Sequence, residues 1–260
     1  SVLLEKDILA FGSTSRSQAI IRTHYSNKVM AEMAWESLRL FKEFKCLTGI
    51  SSGYTRTGYL LIVGQKDRLA LETNVVSPES AREMFPMLSI EYDEAFAWEP
   101  MSGYANPFSV TIGYAKRARE LGAVVQTSSP VTEIEVAGGK VRAVLSEDGR
   151  IETPIAVIAA GPWSSSLLEK IGVNAPLRTI RHQVVVLRRP KDIGPVHPVI
   201  GDVANDLSAR PEVGNLTLVG IGEEESVRAD EYNQGVDMPI GREGLFGPGQ
   251  THSRNLKGSV

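Results

Sequence analysis

The stretch from Gly122 to Trp163, GAVVQTSSPVTEIEVAGGKVRAVLSEDGRIETPIAVIAAGPW, restricts the fold more than any other part of the chain. Its apolar and β-branched residues come in short runs broken by Ala-Gly-Gly-Lys at 137–140 and Glu-Asp-Gly-Arg at 147–150. Both breaks have the chemistry of tight hairpin turns. The spacing predicts a short strand at 123–127, then strands near 131–136 and 140–146, with a third after the second turn. An apolar strand at 155–160 then ends at Gly161. The chain must therefore accommodate an antiparallel three-stranded meander beside whatever its helices build.

Helical patterns flank this region. Residues 28–45, KVMAEMAWESLRLFKEFK, repeat Met30, Met33, Leu38, Phe41 and Phe44 near helical spacing, with Lys and Glu between them. Residues 107–121 read as a helix with Pro107 in its first turn and Gly122 at its stop. Two short helical patches are expected at 66–74 and 77–85, the second opened by Ser77-Pro78-Glu79, and another short helix at 13–25 follows a polar turn. Strands are expected at Val2–Leu4, 57–63, 180–190 and 215–222. Parallel-type strands, helices and an antiparallel meander together indicate an α/β protein with a second sheet. After Met238 the chain is rich in Gly, Pro and polar residues without apolar period, which reads as loop or disorder.

The totals narrow the partners. The 260 residues carry a formal net charge of −3, which gives no electrostatic case for nucleic acid. A single cysteine, Cys46, excludes an internal disulfide framework and any multi-cysteine metal site, and it fits a reducing, cytoplasmic setting. No run reaches the roughly 18 consecutive apolar residues of a membrane span. No metal centre is expected.

Two polar features stand out. Val2-Leu3-Leu4 closes on Glu5, and in a dinucleotide-binding unit the second buried parallel strand ends on an acidic residue that reaches ribose hydroxyls. An ordinary strand-end glutamate would look the same. Gly12-Ser13-Thr14-Ser15 supplies close backbone approach, amides and hydroxyls, suited to phosphate or flavin oxygens and equally to a plain helix cap.

Taken in order, LLEKDILAFGSTSRSQAIIRTHYSN, TGYLLIVGQKDRLAL, SGYANPFSVTIGYAKRARELGAVV, VTEIEV with VRAVLSEDGRIET, and VIAAGPWSSSL resemble the FAD-dependent amine oxidoreductases. These form the D-amino-acid oxidase-like superfamily of sarcosine oxidase, glycine oxidase and dimethylglycine dehydrogenase. The resemblance runs over residues 1–238. It implies an incomplete Rossmann-like FAD-binding domain at 1–50 and 93–176. An antiparallel-sheet substrate domain at 51–92 and 177–238 is inserted into it, and 239–260 form an aberrant or disordered tail. The family's strand–GxGxxG–helix unit and its C-terminal Gly-rich segment are not matched here, so the chain is expected to be an internal fragment.

The resemblance also implies roles. Cofactor contacts fall on Glu5 and Lys6, on Gly12, Ser13, Thr14 and Ser15, on the backbone of Val131 beside the adenine, and on Ala160, Gly161 and Trp163. Arg22, His24, Tyr25 and His182 are candidates for the substrate side, where arginine can grip a carboxylate. Alternation along RHQVVVLRR leaves some of the polar groups around His182 and Gln183 to face solvent. Ser15 and Ala19 stand where the monomeric sarcosine oxidases place a histidine and an arginine, which argues against that closer subgroup. Cys46 is expected to be an inert small residue.

The chemistry implied is hydride transfer from the carbon beside a secondary or tertiary amine to the flavin, giving an imine that water hydrolyses. The partners are a small amine or amino acid, and oxygen or an electron-transfer protein as acceptor. No acid or base residue is obligatory if the amine binds unprotonated. Two alternatives remain open: a truncated, inactive polypeptide, or a flavin 2-hydroxy-acid dehydrogenase of the same superfamily.

Overall fold

The computed structural model describes residues 1–64, 74–90, 94–189, 196–203, 205–229, 231 and 235. The chain runs through β1 (Val2–Leu4), β2 (Ile20–Ile21), α1 (Lys28–Thr48), β3 (Tyr59–Gly64), β4 (Val75–Val76), α2 (Pro78–Met84) and β5 (Glu94–Glu99). It continues with β6 (Gly103–Tyr104), α3 (Pro107–Glu120), β7 (Val124–Gln126), β8 (Val131–Ala137), β9 (Lys140–Ser146) and β10 (Gly149–Glu152). After a single 3-10 turn at Gly161–Trp163 come α4 (Ser164–Lys170), β11 (Ile180–Arg188), β12 (Val199–Asp202), β13 (Leu207–Glu212) and β14 (Leu216–Ser226).

Local chemistry starts and stops the helices, and α1 runs three residues past its expected end at residue 45. The Asn27 side chain accepts from the Val29 and Met30 amides to open α1, and Gly49, at a φ of 75°, closes it. Asn106 caps α3 through the Ser109 amide, with Pro107 in the first turn. Leu38 and Phe44 of α1 are buried, whereas Met30 and Met33, expected on the same apolar face, are exposed. Helix α1 packs on α3 where Gly113 meets Phe44, and the Phe44 ring lies edge-on to Tyr114. After α3 the chain enters β7, which pairs in parallel with β1 in the register Val2↔Val124. Strands β8, β9 and β10 form the expected antiparallel meander.

The largest layer is a seven-stranded sheet in the order β11-β14-β13-β12-β3-β5-β4. Within it only β12 and β3 run parallel. One face buries Leu60, Ile62, Phe96, Ile200, Ala209 and Val219 with Ala81 of α2 and with Phe85, Leu88 and Ile90. The other face buries Tyr59, Leu61, Val63, Ala97 and Val199 against Ile20 and Tyr104 of the small β2–β6 ladder. Since β5 pairs with β3 and β4, this sheet continues to Glu99, past the expected boundary at residue 93. No helix among the described residues is long and apolar enough to cross a membrane.

Two expected elements are corrected. Residues 13–25 form no helix but a run of turns followed by β2. The Ser17 hydroxyl donates to the Thr14 carbonyl and accepts the Ala19 amide, and Ala19 adopts a φ of 50°. Such local side-chain bonds compete with the helical ladder, and the β-branched pair Ile20-Ile21 finds a strand partner instead. Residues 155–160 form no ladder either. Their exposure alternates as in a strand, with Ile155 and Val157 projecting into solvent, but no neighbouring strand among the described residues bonds their backbone. The expected patch at 66–74 lies, but for Asn74, outside the described residues, as does the tail after Met238.

Candidate cofactor and substrate site

Glu5 follows β1, and its Oε1 accepts the Asp7 amide at 2.9 Å. The Glu5 carbonyl accepts the Ser129 amide at 2.9 Å, which brings the end of β1 beside the start of β8 at Val131. The Ser129 hydroxyl is buried there without a hydrogen-bond partner. A second meeting point joins the polar turn to the chain after the meander. Lys6 Nζ lies 3.9 Å from the centre of the Trp163 ring, and a Cβ on Gly12 would approach Trp163 to 3.4 Å. The buried Trp163 Nε1 also lacks a partner. Gly161, at a φ of 53°, makes the turn that delivers this tryptophan, and the Trp163 amide donates to the Ala160 carbonyl at 3.1 Å. Buried polar groups are seldom left unpaired, so Ser129 and Trp163 suit a ligand that brings hydroxyls and polar ring edges past Glu5 and Gly12. The residues present fit FAD in that respect.

Between this region and the seven-stranded sheet lies a cavity of about 680 Å³. Ser13, Arg16, Gln18, Ile20, Arg22 and Trp163 line one side, and Tyr59, His182, Gly201, Ser208 and Gly220 are among those lining the other. The last three are register partners on β12, β13 and β14, so small residues form a row across the sheet. The row lets larger side chains lie flat. A Cβ on Gly201 would sit 1.9 Å from the Tyr59 hydroxyl, and one on Gly220 would sit 2.9 Å from Gln18 Oε1. Gln18 Nε2 donates to the carbonyls of Ser208 at 3.3 Å and Leu218 at 3.0 Å, and its Oε1 accepts the Ser208 hydroxyl at 2.6 Å.

Arg22 is the cation of this cavity with the clearest support. It donates to the Tyr59 hydroxyl at 3.2 Å, and its guanidinium lies 4.8 Å from the centre of the Tyr25 ring. Burial works against the Arg22 charge, but Tyr59 and Tyr25 more than offset it and its pKa is raised. Burial also raises the Tyr59 pKa against the pull of Arg22, so the phenol stays neutral and keeps a proton to donate. Behind Arg22, the Thr23 amide donates to Glu99 Oε2 at 2.8 Å, and His24 Nδ1 stands 3.8 Å from Glu99 Oε1.

The structure thus groups the sequence candidates in three places. Ser13, Trp163, Arg22 and His182 line the cavity, and His24 and Tyr25 do not. Glu5 and Val131 meet at Ser129, while Lys6 and Gly12 meet at Trp163. Thr14 and Ser15 are exposed on the turn. Gln18, Tyr59 and Glu99 were not singled out from sequence, because Gln18 lay in a segment read as a helix, Tyr59 in one read as a buried strand, and Glu99 in one given no element. The glycines within β12 and β14 were the readable signal, since glycine inside a strand marks close approach. No group of three or more His, Cys, Asp or Glu among the described residues could hold a metal ion.

A parallel strand pair fed by a helix, a mainly antiparallel sheet, and a cavity between the two form an α/β layout with room for a small organic ligand. Residues 1–244 match the FAD dependent oxidoreductase family (DAO), and the chain belongs to it. The chain is 25% identical over 260 residues to mitochondrial dimethylglycine dehydrogenase of Homo sapiens, which covers 93% of this chain and 30% of that protein. It is 27% identical over 212 residues to mitochondrial sarcosine dehydrogenase of Homo sapiens, covering 74% of this chain and 23% of that protein. It therefore spans less than a third of the length of these relatives. Among solved structures, L-proline dehydrogenase from P. horikoshii superposes with a TM-score of 0.82 at 24% identity, covering 93% of this chain and 67% of that one. Glycine oxidase from Bacillus cereus does so with a TM-score of 0.70 at 21% identity, covering 91% and 68%. These likenesses establish the fold.

Proposed function

We propose that this chain carries the cofactor strip and the substrate pocket of an enzyme that oxidises the C–N bond of a small secondary or tertiary amine or amino acid bearing a carboxylate. The observation that carries the reading is Arg22, half-buried in the cavity between the polar turn and the sheet, with its guanidinium bonded to Tyr59. FAD, when bound, supplies the hydride acceptor. Glu5 and Lys6, Gly12 to Ser15, the Val131 backbone and Ala160, Gly161 and Trp163 are the residues that would hold it. Arg22 binds the substrate carboxylate by charge-assisted bonds, Tyr59 adds a neutral donor, and the apolar sides of Ile20 and Val184 exclude water. His182 stands on the opposite wall. With the carboxylate held and the amine unprotonated, the pocket need supply no base. Oxygen or an electron-transfer protein reoxidises the cofactor.

The test is to load the purified chain with FAD, exclude oxygen, and follow the flavin absorbance on adding N-methylglycine, N,N-dimethylglycine or L-proline, with lactate in parallel. The amines are expected to bleach the flavin and lactate to leave it. Arg22→Gln is expected to raise the amine concentration required by about tenfold without changing FAD retention. Bleaching by lactate in preference to the amines overturns the reading in favour of a hydroxy-acid dehydrogenase, and a chain that takes up no flavin overturns it outright.

A further inference from the structure

We propose that Glu99 is a positioning residue for carboxylate recognition, holding Arg22 in place through the Thr23 backbone and His24. The inference rests on Arg22 being the carboxylate site, and it concerns a residue that does not itself line the cavity. Arg22 follows a strand of only two residues, so something beyond β2 must fix the chain there. Glu99 does so from the last position of β5, where it is the direct cross-strand partner of Tyr59. The residue that bonds the Arg22 guanidinium and the residue that bonds the neighbouring backbone amide thus sit side by side on one sheet face. The sheet, rather than the turn, sets the Arg22–Tyr59 geometry.

The charge on Glu99 has a separate meaning. Its residue is 4% exposed, Oε2 accepts both the Thr23 amide and the Ser102 hydroxyl, and Oε1 is buried with no hydrogen-bond partner. A glutamine would accept the same two bonds without the cost of a buried carboxylate. What a glutamine lacks is attraction for an imidazolium, and His24 Nδ1 lies 3.8 Å from the free oxygen. A shift of under an ångström would make that contact a charge-assisted hydrogen bond. Around Glu99 stand Tyr59, its cross-strand partner on β3, and Ser102 from the turn after β5, whose hydroxyl it accepts.

Propionate, which cannot be oxidised at a C–N bond, is the probe, with affinity read by calorimetry on the purified chain. Glu99→Gln, which keeps the two accepted bonds, is expected to weaken binding about threefold. Glu99→Ala is expected to weaken it about tenfold, so that the conservative variant recovers much of the loss. Melting curves identify any variant that fails to fold, and if Glu99→Ala does so Glu99→Gln decides. Unchanged affinity in both Glu99 variants, with binding lost in Arg22→Gln, overturns the proposal while leaving the carboxylate site standing. Unchanged affinity in Arg22→Gln, or no binding by the parent, overturns both.

Discussion

Gly201 and His197 show how single positions on β12 and just before it set the properties of the sheet. A side chain at Gly201 would collide with the Tyr59 hydroxyl, whose other contact is Arg22. Gly201→Ala is therefore expected to displace Tyr59, cost about 1–3 kcal/mol of stability as overpacking, and weaken propionate binding. A denaturant midpoint and a calorimetric titration check both. His197 is buried, with Nδ1 2.7 Å from the Pro198 carbonyl and Nε2 2.9 Å from the Thr217 hydroxyl. A carbonyl can only accept, so Nδ1 carries the proton and Nε2 accepts from Thr217. Burial pulls its pKa from the ordinary 6.5 down to about 4, and the Arg189 charge adds to the effect. Between those two values the unfolded chain takes up a proton that the folded chain refuses. Stability is thus complete above pH 6.5 and falls as the pH drops toward 4, by as much as about 3 kcal/mol. Urea midpoints at pH 7.5, 5.5 and 4 should show the decline, and His197→Gln should make it shallower; an equal decline in that variant would place its cause elsewhere.

At the scale of elements, the helices were legible because their ends are written locally. Asn27, Gly49, Ser77 with Pro78, and Asn106 with Pro107 each sit where caps belong, and α1, α2 and α3 begin or end there. The meander was legible for a similar reason, through Gly138-Gly139 in its first turn and Gly149 at the start of β10, all at positive φ. Segments whose structure depends on a distant partner were not. Residues 13–25 carry helix-compatible signals but pair Ile20-Ile21 with Gly103-Tyr104, a contact no local pattern announces. Residues 155–160 have a strand's composition without a pairing neighbour among the described residues. The α1–α3 contact gives a prediction in which packing opposes propensity. Alanine at Gly113 favours the helix by about 1 kcal/mol, yet its Cβ would lie 2.4 Å from Cε1 of the fully buried Phe44. Overpacking of about 1–3 kcal/mol should win, so Gly113→Ala is expected to lower the thermal midpoint. A rise would show that Phe44 can move aside.

Across the whole molecule, the Gln18 side chain ties the turn at 13–19 to the seven-stranded sheet. Gln18 reaches strands β13 and β14 through three hydrogen bonds, roughly 0.5–1.5 kcal/mol each. Gln18→Ala is expected to leave the sheet core intact and to free residues 13–19 from it. Amide exchange should then speed up in that turn and stay slow in β3 and β12; equal acceleration everywhere would mean that Gln18 supports the core itself. The sequence by itself determined the family, the cofactor class, the helices with their caps and the meander, because these depend on signals carried by neighbouring residues. Only the tertiary structure decided that Arg22 stands on Tyr59, that Glu99 backs it, and that Gly201, Ser208 and Gly220 align beneath the cavity. Those contacts join segments far apart in the chain, and strand register, which no local pattern encodes, sets which side chains meet.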